Sequence, residues 1–113
     1  MSDDRLYLIH VVESIERIED YTREGRDVFM SSPMVQDAVV RNFEIIGEAV
    51  KQIPILLKEE HPDIPWRRIA GLRDVLIHQY MSVDLEAVWA ITGGDLPELK
   101  RAVTEILAGM QGR

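Results

Sequence analysis

The sequence predicts an all-α protein, an up-down bundle of four to five helices, from three observations. Apolar residues recur at steps of three and four along most of the chain, as one face of a helix requires. No stretch alternates apolar and polar residues as a half-buried strand would. Helix-start and helix-stop residues punctuate the periodic stretches at short intervals, so neighbouring helices are expected to run antiparallel. At 113 residues the chain is expected to form a single domain, 1–113, large enough to bury a core.

Residues 4–24 read as a long amphipathic helix whose stripe is Leu8, Val12, Ile15 and Ile18. Gly25 is its expected stop, since glycine suits the left-handed position past a helix end. His10 lies beside the stripe and is expected to be a satisfied, partly buried side chain. Residues 26–32 read as a connection. Ser32-Pro33 then combines a capping serine with a proline at the first helical position. The second long helix runs to about Ile53 with Val35, Val39, Ile46, Ala49 and Ile53 inward. Asn42 falls on the same inward line, where a polar amide needs a hydrogen bond. Two roles stay open for it, a structural bond to a neighbouring helix or orientation of the site described below. Arg41, Glu44 and Glu48 share another face and read as an ion-paired surface.

Pro54 ends that helix, Ile55 to Glu60 can form a short one, and residues 61–65 form a loop in which His61 is expected to be exposed. A helix beginning at Pro65 has Trp66, Ile69, Leu72 and Leu76 as its core face. Asp84 caps a further helix carrying Leu85, Val88, Trp89 and Ile91, and Gly93-Gly94 breaks it. Asp95 and Glu98 have capping-box spacing. The last helix turns Leu99, Val103, Ile106 and Leu107 inward and is expected to fray from Gly109.

Composition removes several classes of function. There is no cysteine, which excludes disulfides, thiolate zinc sites and cysteine nucleophiles. No Glu-x-x-His pair is present, which removes the di-iron bundle enzymes. The start is acidic before it is apolar and no apolar run approaches spanning length, so a soluble cytoplasmic protein without membrane attachment is expected. The net charge of −7 argues against a surface that attracts nucleic acid everywhere, though not against a local basic site. Ten of the thirteen basic residues are arginine, and Arg67, Arg68 and Arg73 fall within seven positions. Arg67 and Arg68 by themselves read as a solvated helix face.

The stretch with the most chemistry is PWRRIAGLRDVLIHQY, residues 65–80. It sets Arg73, His78 and Tyr80 within eight residues. Arginine presents a fixed fork to phosphate oxygens, and histidine carries protons near neutral pH. Together they suit cleavage of an RNA phosphodiester by the adjacent 2′-hydroxyl, with no metal and no other cofactor. His78 would be general base or acid, and Arg73 would stabilise charge on the phosphoryl oxygens. Asp74, four residues before His78, could fix the imidazole tautomer. On an ideal helix Arg73 and His78 lie about 140° apart. Either the long arginine sweeps across, or a second copy of the helix completes the site in a two-fold dimer. The same residues also fit a structural arrangement, with Arg73 ion-paired, His78 at a helix end and Tyr80 packed in the core.

The pattern Arg-x4-His-x-Tyr resembles the signature of the HepT family of the HEPN superfamily. The blocks RNFEIIGEAVKQI (residues 41–53), VDLEAVW (83–89) and DLPELK (95–100) extend the resemblance over nearly the whole chain. Asp74 stands where many relatives carry asparagine. The resemblance implies a HEPN-like homodimer with its site at the bundle interface, acting as the metal-independent endoribonuclease toxin of a toxin–antitoxin pair. It implies Arg73 and His78 as the catalytic pair. It implies Tyr80 as the residue that an MntA-type nucleotidyltransferase antitoxin modifies with AMP. A second reading is a catalytically silent helical dimer that serves as the nucleotidyltransferase's partner or binds a nucleotide in the same cleft.

Overall fold

Burial of apolar stripes on three long helices organises the chain, and short helices close the ends. A computed structural model describes residues 3–72 and 84–111. Among these the elements are α1 (Asp3–Tyr21), α2 (Arg26–Ser31), α3 (Pro33–Gln52), α4 (Ile55–Glu60), α5 (Trp66–Ala70), α6 (Leu85–Gly93) and α7 (Asp95–Gln111), with no strand. The protein is all-α, as its periodicity predicts. Helix α1 packs on α3 and on α7, α3 also receives α2 and α5, and α6 lies on α7.

The buried line of α1 is Leu8, Val11, Ile15 and Ile18, with Ser14 on the same line. The expected stripe ran through Val12, which is only partly buried. Two adjacent valines satisfy a three-then-four or a four-then-three step equally well. The chosen phase is the one that serves α3 and α7 together. His10 is exposed, contrary to expectation. Helix α1 ends at Tyr21, before the expected stop, where the Thr22 hydroxyl donates to the Ile18 carbonyl at 2.7 Å. Gly25 has φ 97°, a left-handed conformation that glycine adopts without cost, and it turns the chain into α2.

Helix α2 replaces the expected connection. It is one and a half turns long and shows no readable periodicity, yet it carries the fully buried Phe29 into the core against the Trp89 ring, centroids 5.4 Å apart. Its end is tied to α3 by Gln36, whose amide donates to the carbonyls of Phe29 (2.9 Å) and Met30 (3.1 Å). Carbonyls at a helix end lack intrahelical donors, and the Phe29 carbonyl also accepts from the Ser32 amide at 3.4 Å. Ser32 caps α3 as expected, accepting from the Val35 amide at 3.3 Å, with Pro33 at the first position. The inward face of α3 is wider than its sequence stripe. Phe43 and Val50 are fully buried beside Val39 and Ile46, because helices cover α3 from more than one side.

Pro54 separates α3 from α4 as expected. The Trp66 indole donates to the carbonyls of Lys58 (3.2 Å) and His61 (3.0 Å), folding the end of α4 onto α5. His61 is therefore half-buried, held by its backbone rather than projecting free as expected. Trp66, Ile69 and Leu72 are buried as predicted, but α5 stops at Ala70 and Gly71 is a turn residue. The helix expected from Pro65 is thus interrupted there, and Leu76 lies outside the described residues. Asp84 caps α6 by accepting from the Ala87 amide at 3.1 Å. The Gly93-Gly94 break separates α6 from α7 as expected. Asp95 is drawn away from its expected capping role into an ion pair with Arg68 at 3.0 Å, which joins the start of α7 to α5. Arg26 pairs with Glu86 and joins α2 to α6. Helix α7 continues through Gly109 to Gln111 rather than fraying.

Lys100 of α7 reaches Glu19 (2.9 Å) and Glu16 (3.8 Å) of α1. The hydrogen bond with Glu19 raises its pKa above the ordinary 10.5. A raised folded-state pKa gives stability that is fully present below 10.5 and is lost as pH climbs through the raised value. Lys100→Met is expected to lower the denaturation midpoint at pH 7, by under about 1 kcal/mol for so exposed a pair. The gap to wild type should close in strongly alkaline buffer, and a gap that widens there would contradict the assignment. Phe29→Ala is expected to cost about 3–5 kcal/mol in chemical denaturation, because it empties the α2–α6 contact. Val28→Ala on the exposed side of the same helix should change stability by under about 0.5 kcal/mol.

Candidate functional site

Helix α5 delivers the chain, through the buried Leu72, to the segment that carries Arg73, Asp74, His78 and Tyr80, and Asp84 receives it again at the cap of α6. These four residues lie outside the described residues. Asn42, the fifth candidate, is described. It is buried on α3, as its place on the inward line predicted.

The surroundings of Asn42 are unusual. Its amide nitrogen donates to the Ala38 carbonyl at 2.9 Å, within its own helix. The bond to a neighbouring helix that the structural role called for is therefore not what that nitrogen makes. Its Oδ1 is fully enclosed and has no partner among the described residues, and the same is true of Ser14 Oγ on α1. A buried acceptor without a donor costs about 1–3 kcal/mol. The two lie on the facing helices α1 and α3. Tyr7 and His10 line one groove with Ala49 and Ile45, so rising numbers on α1 meet falling numbers on α3. Ser14 lines a neighbouring hollow with Ile45. Sequence reading found the amide and missed the serine, although Ser14 sits three after Val11 and four before Ile18, on the buried line itself.

The groove has a volume of about 320 Å³, with Tyr7 and His10 on one wall and Arg41, Glu44, Glu48 and Gln52 on the other. A second hollow bounded by Glu13 and Arg17 shares His10 and Ile45 with it, so the two are neighbours along α1. Part of the expected ion-paired surface is present, since Glu48 lies 3.8 Å from Lys51. Arg41 and Glu44 depart from expectation. They are three residues apart on one helix face, yet neither makes an ion pair or a side-chain hydrogen bond among the described residues. Arg67 and Arg68 are exposed as expected, and only Arg68 is anchored, by Asp95.

Comparison with known proteins adds an independent line. A family model described as "Ribonuclease HepT-like" matches residues 11–106. Among similar proteins, "Probable ribonuclease HepT" of Thermococcus cleftensis is 47% identical over 83% of this chain and 86% of its own length. "Putative RNase TTE0752" of Caldanaerobacter subterraneus subsp. tengcongensis is 40% identical over 95% of this chain and 96% of its own. "Gamma-glutamylcyclotransferase and putative RNase MJ0434" of Methanocaldococcus jannaschii is 44% identical over 93% of this chain, which spans only about half (48%) of that longer protein. No solved structure matches the chain significantly. The family match takes in both the helical frame from α1 to α7 and the whole Arg73–Tyr80 motif between α5 and α6, and on that basis the chain belongs to the HepT-like ribonuclease family.

Proposed function

We propose that this protein is a metal-independent endoribonuclease of a toxin–antitoxin pair, with Arg73 and His78 as its catalytic residues. The observation that carries the reading is the family match across residues 11–106, which contains the complete Arg-x4-His-x-Tyr motif. In the proposed reaction the RNA 2′-hydroxyl attacks the neighbouring phosphorus. The new P–O2′ bond forms as the P–O5′ bond breaks, leaving a 2′,3′-cyclic phosphate and a 5′-hydroxyl. His78 takes the 2′-hydroxyl proton or supplies one to the departing oxygen, and Arg73 neutralises charge on the non-bridging oxygens. A two-fold homodimer would set two histidines about one cleft, one as base and one as acid. Asp74 would hold the imidazole tautomer, and Asn42 would support the motif from the core beneath.

The proposed antitoxin is an MntA-like nucleotidyltransferase that transfers AMP from ATP to the Tyr80 oxygen with release of pyrophosphate. The added phosphate would occupy, by charge and by volume, the place of the RNA phosphate. The reading places this chemistry in the cytoplasm, where RNA and ATP are available.

Purified wild-type protein is expected to cut total RNA in excess EDTA, and His78→Ala to lower the rate about 10²–10⁴-fold. Arg73→Lys should be nearly as damaging, because an ammonium lacks the two-pronged fork. Prior incubation with the nucleotidyltransferase, ATP and magnesium should silence wild type and leave Tyr80→Phe active. Absence of cleavage by unmodified wild-type protein would instead favour a silent partner-binding dimer. Asn42→Leu separates support from stability. It removes an orphaned buried acceptor, so its denaturation midpoint should be unchanged or raised by about 1 kcal/mol while cleavage falls at least tenfold. An active Asn42→Leu protein would confine Asn42 to a structural role.

A further inference from the structure

We infer that the groove between α1 and α3 is a base-recognition subsite for single-stranded RNA, in which Glu44 reads a guanine edge and Arg41 holds the adjoining phosphate. The inference rests on the ribonuclease reading and adds to it a nucleotide preference. Three observations support it. The groove's 320 Å³ matches a nucleotide-sized ligand, since small-molecule sites begin at about 300 Å³. Arg41 and Glu44 line it with no intramolecular partner among the described residues, so their charged ends are available to a ligand. Tyr7 forms the opposite wall, half-buried and packed against the core, which fixes a flat aromatic surface at low entropic cost.

The chemistry of the walls selects the base. An ionised carboxylate only accepts hydrogen bonds. Guanine presents N1–H and the N2 amino group side by side, matching its two oxygens. Adenine and cytosine each set an acceptor nitrogen beside their amino group, which would face a carboxylate oxygen, and uracil sets two carbonyls about a single N–H. Single-stranded RNA is commonly read in this way, by edge hydrogen bonds with the base stacked on an aromatic ring. Glu44 disfavours a bare phosphate in the groove, so a base occupies it and the phosphate stays at its rim with Arg41.

The test uses 2′-O-methyl RNA, which has no free 2′-hydroxyl and cannot be cut by the proposed reaction. Binding therefore reports on the groove whether or not Arg73 and His78 cleave. Fluorescence anisotropy would compare a labelled uridine dodecamer with the same strand carrying one central guanosine, using full-length protein. One guanosine is expected to tighten binding about tenfold, the discrimination of one good two-pronged contact. Glu44→Gln should abolish that gain. Arg41→Ala should weaken both strands and reduce the salt dependence by about 0.7 in log–log slope, one phosphate's share for single strands. Circular dichroism would check that both surface variants stay folded. Equal binding of the two strands by wild type would overturn the inference, as would no binding of either strand or a guanosine preference that survives Glu44→Gln. A wild type that binds with guanosine preference yet cuts no RNA would leave the subsite standing and remove the catalytic reading alone.

Discussion

The contact between α1 and α3 is the constraint on which the other elements depend. Leu8, Val11, Ile15 and Ile18 meet Val39, Phe43, Ile46 and Val50 in a dry seam of fully enclosed side chains. Apolar burial at about 25 cal/mol per Å² makes such a seam the chief source of cohesion in a chain of this size. Every other helix is placed relative to it. Helix α7 lies along α1, α2 and α5 lie on α3, and α6 joins the seam through α7 and through its Trp89 contact with Phe29 of α2. Ser14 and Asn42 are the exceptions inside it, two enclosed polar groups where apolar ones would hold the helices better. Such a cost within the most important contact does not add to stability, since an enclosed acceptor without a donor destabilises the fold.

The short helices follow a second constraint, that each carbonyl exposed at a helix end must find a donor. Gln36 answers for the end of α2 and the Trp66 indole for the end of α4. Both donors belong to the element that follows or lies across the break, so satisfying the backbone also sets the angle at which the chain turns. Trp66 thereby couples the α4–α5 corner to the core, and α5 is the last described element before the Arg-x4-His-x-Tyr stretch. A tryptophan directly after a proline-rich loop thus fixes the corner from which the chain leaves for Arg73, seven residues on.

The long helices were legible because each buries one stripe, and Ser32-Pro33, Pro54, Asp84 and the glycine pair are chemical stops and starts independent of tertiary contacts. Helix α2 was not legible. Six residues cannot display a 3.6-residue period, and only its contact with Trp89, sixty positions away, explains why Phe29 is inside. Asp95 shows the same limit, since a capping-box spacing competes with an arginine that the sequence places twenty-seven residues earlier. The phase of α1 was undecidable between Val11 and Val12 without knowing that two helices pack on it. At the candidate site, Asn42 was visible as a polar break in an apolar line. Ser14 was hidden because a small hydroxyl residue beside Ile15 looks like surface. Among the described residues Arg41 and Glu44 are unpaired, contrary to what their spacing alone suggests, because a three-residue step permits an ion pair without requiring one.

The acidity of the chain bears on how such a protein can act on RNA. With a net charge of −7 the long-range field repels a polyanion, and non-specific binding, which draws on many phosphate contacts at once, is weak. Affinity must then come from a few positions where arginine is locally dominant or where a base rather than a phosphate is held. The basic residues are distributed accordingly. Lys100 and Arg26 are committed to carboxylates that bind helices together, and Arg68 to Asp95. Arg41 makes no such pair among the described residues and lies at the edge of a groove with an aromatic wall. An acidic ribonuclease that reads a base through a carboxylate makes its negative charge part of recognition, because the group that repels phosphate is the one that accepts from guanine. On the proposed reading, selectivity then follows from the same charge that suppresses indiscriminate binding, and AMP added beside the proposed catalytic arginine would tip the local balance against RNA.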